Sequence, residues 1–542
     1  MKRLVEHIRR SGAVRSVCVA AGLSIVFTVL GVRAAAIATS PDVASDTRLT
    51  GYSEIKKRAD IVDRDGELLA TSVTVYSLFA DPRLIWDADE VVEALAQVFP
   101  DIDRQGLRGR LENRERRFEW IRRGLTPRQR QAVFDLGLEG LHFREEVMRA
   151  YPKGVQAGHV LGHTDVDGIG RMGLEKAFDA QLALGGDPLQ LTLDAGVQFA
   201  IESELTEAAG EFGAEAATGI VIDVRSGDLL ALASWPSFDP NRPDRSSPEQ
   251  QMNRATGAVY ELGSVFKPLT IAAALETGAV DLSDRFDISK PAVIAGQAIT
   301  DTHKIGAVAD VTEILAESSN IGTLAIADRL GAEGLTSFYQ SSGLFERPQF
   351  DFAASAAPLL PERWGPLEVA TLSFGHGFAV SPLAFAEVFA ALGNDGAIKP
   401  LNIVLGSEDK EPQRLVSEDV ARLTVDLLRV AVTRGTGTSA DIVGYEVAGK
   451  TGTAEKPIAG GYSETRNVSS FIALFPASSP QFVVMVVLDE PRLGEGEGAT
   501  AARAAAPVTG RVIERIAPIL GVSPRLEGAR PPARTPDDRS AP

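Results

Sequence analysis

Three short strings, far apart in the chain, have to be brought to one place: Ser264-Val265-Phe266-Lys267, Ser318-Ser319-Asn320 and Lys450-Thr451-Gly452-Thr453. In that order they make the S-x-x-K, S-x-N and K-T-G set of a serine acyl-transfer site. The set names a nucleophile, its base and the walls of a cleft together. It therefore constrains the fold as strongly as the chemistry.

No single string carries that reading. Ser53-Glu54-Ile55-Lys56 and Ser407-Glu408-Asp409-Lys410 also fit S-x-x-K. Both sit among charged residues with no apolar run behind them, and read as solvated surface. Ser264 follows Gly263 and leads into Pro268-Leu269-Thr270-Ile271-Ala272-Ala273-Ala274-Leu275, a buried-helix pattern with proline near its first turn. A serine there has its hydroxyl close to unpaired backbone N–H groups, and Lys267, three residues on, shares its helical face.

The residue types fit the chemistry. A serine hydroxyl needs an adjacent base. Lysine serves once burial and a neighbouring positive charge depress its pKa, and Lys450 could supply that charge. Ser318 could relay a proton between Lys267 and the leaving amine, while Asn320 could hold Lys267 and a substrate amide. Val447–Ala454 reads as an edge strand. Gly452, lacking a side chain, lets a substrate backbone lie against it. The N–H groups of Thr453 and Ser264 would form an oxyanion hole.

The chain resembles a class B penicillin-binding protein, a peptidoglycan D,D-transpeptidase, and most resembles the division-specific member. Beyond the three strings, the resemblance is carried by Ala233–Asn241, Asn253-Arg254-Ala255, Tyr260-Glu261-Leu262-Gly263-Ser264, Ser373-Phe374-Gly375-His376-Gly377 and Ser381-Pro382. Leu262 departs from the family's usual proline. Arg58, Arg149-Ala150-Tyr151-Pro152 and Gly170–Glu175 resemble three blocks of the family's non-catalytic pedestal, with Ala59 replacing a usual glycine.

The resemblance implies an α+β fold, an elongated pedestal followed by an antiparallel sheet with helices on both sides. It implies a partly buried cluster of Arg58, Arg149 and Glu175. It also implies Ser264, Lys267, Ser318, Asn320 and Lys450 as catalytic residues, with Thr451, Gly452 and Thr453 on the substrate and oxyanion side. Ser264 would attack the carbonyl before a terminal D-alanine, and an amine from a neighbouring strand would resolve the acyl-enzyme. No cofactor or metal is implied. The expected partners are stem peptides, β-lactams, the inner membrane, a membrane glycosyltransferase and other division proteins. Rival readings are a sidewall-elongation transpeptidase, a D,D-carboxypeptidase or β-lactamase, and a penicillin-binding receptor that does not turn over.

Composition agrees. With 542 residues, 44% of them hydrophobic, the chain can bury a large core in two domains. A net charge of −18 argues against a nucleic-acid binder. The one cysteine, Cys18, excludes a disulfide framework. Basic residues in 1–15 precede an apolar stretch, so 16–39 is expected to be an uncleaved anchor with its basic end in the cytoplasm and the catalytic domain in the periplasm. A cleaved signal peptide is the alternative. The pedestal is placed at 40–190, the transpeptidase domain at 191–522 and a disordered tail at 523–542.

Within the pedestal, Ile61–Ala70 reads as a hairpin around Asp65-Gly66, and arginine-rich 104–131 as a solvated helical face. Gly168–Gly173 fits G-x-G-x-x-G but follows no buried strand, and His159 and His163 lack the glutamate of a zinc helix. Neither is taken as a site. In the second domain, 219–223 with 229–233 reads as a hairpin, 470–475 and 482–488 as strands, and 499–519 as a closing helix.

Overall fold

The computed structural model describes residues 24–25, 27–33, 57–408, 410–458, 461–494 and 498–525. It divides into Met1–Lys56 and Lys57–Pro542. In the first unit the described residues are helical, and among the described residues no helix is long and apolar enough to cross a membrane. Most of the expected anchor, the basic segment before it and the tail beyond Arg525 lie outside the described residues.

The larger unit begins with a hairpin. Strand β1 (Ile61–Val62) pairs antiparallel with β2 (Leu68–Ala80). Asp63 Oδ1 accepts the N–H groups of Asp65 (2.9 Å) and Glu67 (2.7 Å), which closes the turn. The long β2 carries β3 (Glu119–Leu125) and β4 (Leu141–Ala150), both antiparallel. Helix α1 (Ala88–Val98) packs Val92 and Leu95 against Leu78, Leu107 and Leu111 in a small core of its own. The arginine-rich stretch is not one helical face. It forms α2 (Arg104–Glu112), β3 and α3 (Pro127–Asp135), because Leu125 and partly buried Ile121 join that core from an extended strand. Its arginines do pair with acids, as in Arg122–Asp101 and Arg123–Glu146.

Strand β5 (Leu189–Gln190) returns alongside β1 in parallel and leads into α4 (Ala195–Phe212). Then come β6 (Ala216–Asp223) and β7 (Leu229–Trp235), followed by α5 (Lys267–Glu276), α6 (Val311–Ala316), α7 (Asn320–Leu330), α8 (Pro382–Ala390) and α9 (Glu418–Arg434). Strands β8 (Ala448–Ile458), β9 (Gly461–Phe475) and β10 (Phe482–Asp489) complete an antiparallel sheet in the order β8-β9-β10-β6-β7, and α10 (Ala505–Ile519) closes it.

Both faces of this sheet are covered, which is why β10 reads as an unbroken apolar run. Val484 and Val486 face one core with Ile201 of α4 and Val512 of α10. Val483, Met485 and Val487 face the other, with Leu269 of α5, Phe385 of α8 and Leu428 of α9. The closing helix starts at Ala505, later than its composition suggests. The residues before it cross beside β8, where the Ala501 N–H is donated to Thr453 Oγ1 at 2.9 Å. Residues 501–504 are turns, and the Ala501 N–H is spent on Thr453 rather than on a helical carbonyl.

Candidate active site

The cleft forms where α5, the α6–α7 turn and edge strand β8 converge. Gly263 takes φ +64°, a conformation that favours glycine, and Gly263–Phe266 form one 3-10 turn leading into α5 with Pro268 near its start. Leu262 sits at φ −89°, ψ −6° and is fully buried, so the departure from proline leaves an ordinary backbone here.

Three glycines let three backbones meet around the serine. A Cβ on Gly375 would lie 2.2 Å from Gly263 O, one on Gly263 2.9 Å from Thr453 O, and one on Gly452 2.3 Å from Leu262 O. The turn bearing Ser264 is thus clamped between the 375–377 loop and β8.

Lys267 is fully buried at the start of α5. Its Nζ donates to the Ser318 carbonyl, to Ser318 Oγ at 3.2 Å and to Asn320 Oδ1 at 2.7 Å. Lys450, also fully buried, donates to the same Ser318 Oγ at 2.9 Å and to the Thr451 carbonyl at 3.1 Å. One hydroxyl therefore lies between two lysines. Among the described residues Ser264 Oγ makes no hydrogen bond, so Lys267 is held by the Ser318 turn and not by the serine it would activate. Contacts of this kind often tighten only once substrate is bound.

Burial drives the Lys267 pKa well below the ordinary lysine value, the Lys450 charge lowers it further, and Asp301 opposes both. Burial pushes Lys450 down to about 7 against the pull of Glu317. A neutral amine on Lys267 and a charge on Lys450 are compatible with this pair.

Ser318 has φ +62°, costly for a residue with a side chain. Ser319 caps α7, accepting the Gly322 N–H at 2.8 Å and donating to Asp301 Oδ2 at 2.7 Å. Asp301 Oδ1 also accepts the N–H groups of Asn320 (2.5 Å) and Ile321 (3.0 Å), and the Asn320 amide donates to the Thr300 carbonyl at 3.0 Å. Asp301 is thus a positioning residue that sequence reasoning missed. So are Glu317, whose Oε2 lies 3.1 Å from His303 Nε2, and Thr436, whose hydroxyl lies 2.7 Å from that of Thr451. No short-range pattern marks these residues, because they meet only after folding.

In the pedestal, Arg58, Arg149 and Glu175 come together. Glu175 is fully buried, with Oε2 2.9 Å from Arg58 Nη2 and Oε1 2.5 Å from Arg149 Nε. Asp179 joins at 2.7 Å from Arg58 Nη1. The glycine run 168–173 serves this cluster. Arg58 donates to the Gly168 carbonyl at 2.8 Å, and a Cβ on Gly170 would lie 1.9 Å from Glu175 O. His159 Nε2 lies 2.8 Å from the Gln250 carbonyl. Ser407 is an exposed turn residue bonded to Asn402. Ser53 lies outside the described residues.

An antiparallel sheet covered on both faces, with a serine at a helix start and two buried lysines sharing the Ser318 hydroxyl, is the arrangement of a serine acyl-transferase. Residues 217–513 match the penicillin-binding protein transpeptidase domain, and residues 54–186 match the penicillin-binding protein dimerisation domain. The probable peptidoglycan D,D-transpeptidase FtsI of Caulobacter vibrioides is 40% identical over 488 residues, 87% of this chain and 82% of the relative. Peptidoglycan D,D-transpeptidase FtsI of Escherichia coli is 31% identical over 525 residues, 90% and 88% of the two chains. The crystal structure of penicillin-binding protein 3 from Mycobacterium tuberculosis, complexed with aztreonam, superposes with a TM-score of 0.69 at 25% identity, covering 86% of this chain and 97% of that one. The chain belongs to the penicillin-binding protein transpeptidase family and is a serine-type peptidoglycan D,D-transpeptidase.

Proposed function

We propose that the protein cross-links stem peptides at the division septum from a single-pass anchor in the inner membrane, and that β-lactams inhibit it. The observation that carries the chemistry is the Ser318 hydroxyl between Lys267 and Lys450. Ser264 attacks the carbonyl before the terminal D-alanine, and neutral Lys267 takes the hydroxyl proton. The Ser264 and Thr453 N–H groups hold the resulting oxyanion. Ser318 passes the proton to the departing D-alanine amine, and an amine of a second stem peptide then displaces Ser264. Asn320 holds the donor amide, and charged Lys450, with Thr451, attracts the terminal carboxylate. Gly452 leaves room for the peptide along β8.

The septal role is supported by the resemblance to the division-specific member, and the anchor by the basic-then-apolar N-terminus. The boundary between pedestal and transpeptidase domain is proposed near residue 190, between the stretches that match the two family domains. A fluorescent fusion should gather at the division site, whereas uniform sidewall labelling would favour the elongation reading. External protease should digest the catalytic domain in spheroplasts, and its protection would overturn the topology.

A further inference from the structure

Ser470, on β9, is assigned no part in the reaction above, yet its hydroxyl ties edge strand β8 to the residue just before the turn that carries Ser264. It is fully buried, and its Oγ lies 3.1 Å from Leu262 O and 3.1 Å from Gly452 O. Leu262 is the residue just before the turn that carries Ser264. Gly452 O belongs to the peptide unit whose N–H is that of Thr453. In a trans peptide the carbonyl and the N–H point in opposite directions. Pairing of Gly452 with Ser470 across the ladder faces the Gly452 carbonyl to β9 and the Thr453 N–H to the open side of edge strand β8, and the Ser470 hydroxyl adds a donor that holds the peptide there. The hydroxyl has one proton for two carbonyls, so the bond is shared, and it pulls the nucleophile turn and the strand towards one point. A donated bond also polarises the peptide and strengthens the N–H on its far side.

The packing leaves this clamp little slack. A Cβ on Gly452 would lie 2.3 Å from Leu262 O and 2.4 Å from Ser470 Oγ. Ser470 faces Gly452 across the ladder, while its neighbour Ser469 faces Thr453 but accepts the Ala505 N–H at 3.3 Å. Two adjacent buried serines thus point to different tasks.

We infer that Ser470 is a positioning residue for the oxyanion hole, its hydroxyl holding the orientation of the Thr453 N–H and the spacing between strand β8 and the turn that leads to Ser264. The inference rests on Ser264 being the nucleophile. It places the effect in the acylation step and not in the binding that precedes it.

The test measures pre-acylation binding and the limiting acylation rate separately on the full chain. The probes are a penicillin and the analogue whose β-lactam C=O is replaced by C=S. Removing a direct oxyanion donor costs about 10²–10³-fold in rate, so Ser470→Ala should slow acylation by roughly ten- to a hundredfold with binding unchanged. The penalty should shrink for the C=S analogue, whose sulfur accepts hydrogen bonds weakly. Ser470→Cys, which keeps a weak donor, should fall between, and remains informative if Ser470→Ala does not fold. Ser469→Ala should lower thermal stability without changing the limiting rate. Acylation of a folded Ser470 variant within twofold of the parent, or an equal penalty with both probes, would overturn the inference and leave the Ser264 reading intact. A parent protein that takes no label at all would instead remove the reading beneath it.

Discussion

Burial beside Ser318 pushes Lys450 down to about 7, and the Glu317 carboxylate opposes that shift. In the proposed mechanism a charged Lys450 attracts the substrate carboxylate, so acylation should fall as pH rises through that value. It should also rise with pH through the depressed pKa of Lys267, which must shed its proton first. Removing the Glu317 charge disfavours the ammonium, so Glu317→Gln should move the descending limb to lower pH. Acylation rates measured across the neutral range check this. A limb that stays in place would show that Glu317 does not set the Lys450 charge. At this scale the sequence was legible wherever chemistry and spacing coincide, as in the three strings. Asp301 was not legible. It lies in a loop with no periodic pattern, and its role exists only because two backbone N–H groups and a serine hydroxyl converge on it.

Around the nucleophile turn the elements of the cleft approach backbone to backbone, so the glycines at their crossing are intolerant. Gly375 takes φ +82°, and a Cβ there would press against Gly263 O and the Phe266 ring. Gly375→Ala should cost about 1–3 kcal/mol from strain alone. It should also slow acylation more than that loss explains, since it displaces the turn bearing Ser264. Thermal unfolding and acylation of the same preparation check this, and full activity at unchanged stability would refute the clamp. Helices and strands with two buried faces or a capped start, such as α5 and β10, could be read from composition. The arginine-rich stretch could not. Its charge pattern is equally compatible with helix and strand, and only packing against Leu78 and Leu111 selects β3. The φ +62° turn at Ser318 has no sequence signal either, and the residue there contacts both lysines only once the chain has folded.

Across the whole molecule the pedestal blocks converge on one fully buried carboxylate, Glu175, held by two arginines. Removing one partner of such a group typically costs about 3–5 kcal/mol, because the remaining charges lose their compensation. Glu175→Ala should therefore destabilise the pedestal and impair division more than penicillin acylation. Thermal unfolding, complementation and labelling of one variant separate these effects. An equal loss of labelling would mean that the cluster also supports the catalytic domain directly. The order of the domains was legible because each is built from short blocks with distinctive residues. The way Asp179 completes the Arg58 pair was not, since nothing in the local sequence distinguishes it from a surface acid.

In the proposed mechanism Ser264 alone, among the three serines that fit the motif, forms the acyl-enzyme. The full chain should be reacted with a labelled penicillin, digested, and the labelled peptide identified by mass spectrometry. Label should lie on Ser264 alone. Ser264→Ala should take none while remaining folded, Lys267→Arg should react slower by orders of magnitude, and Ser53→Ala and Ser407→Ala should label normally. Label on Ser53 or Ser407, or label retained by Ser264→Ala, would contradict the account.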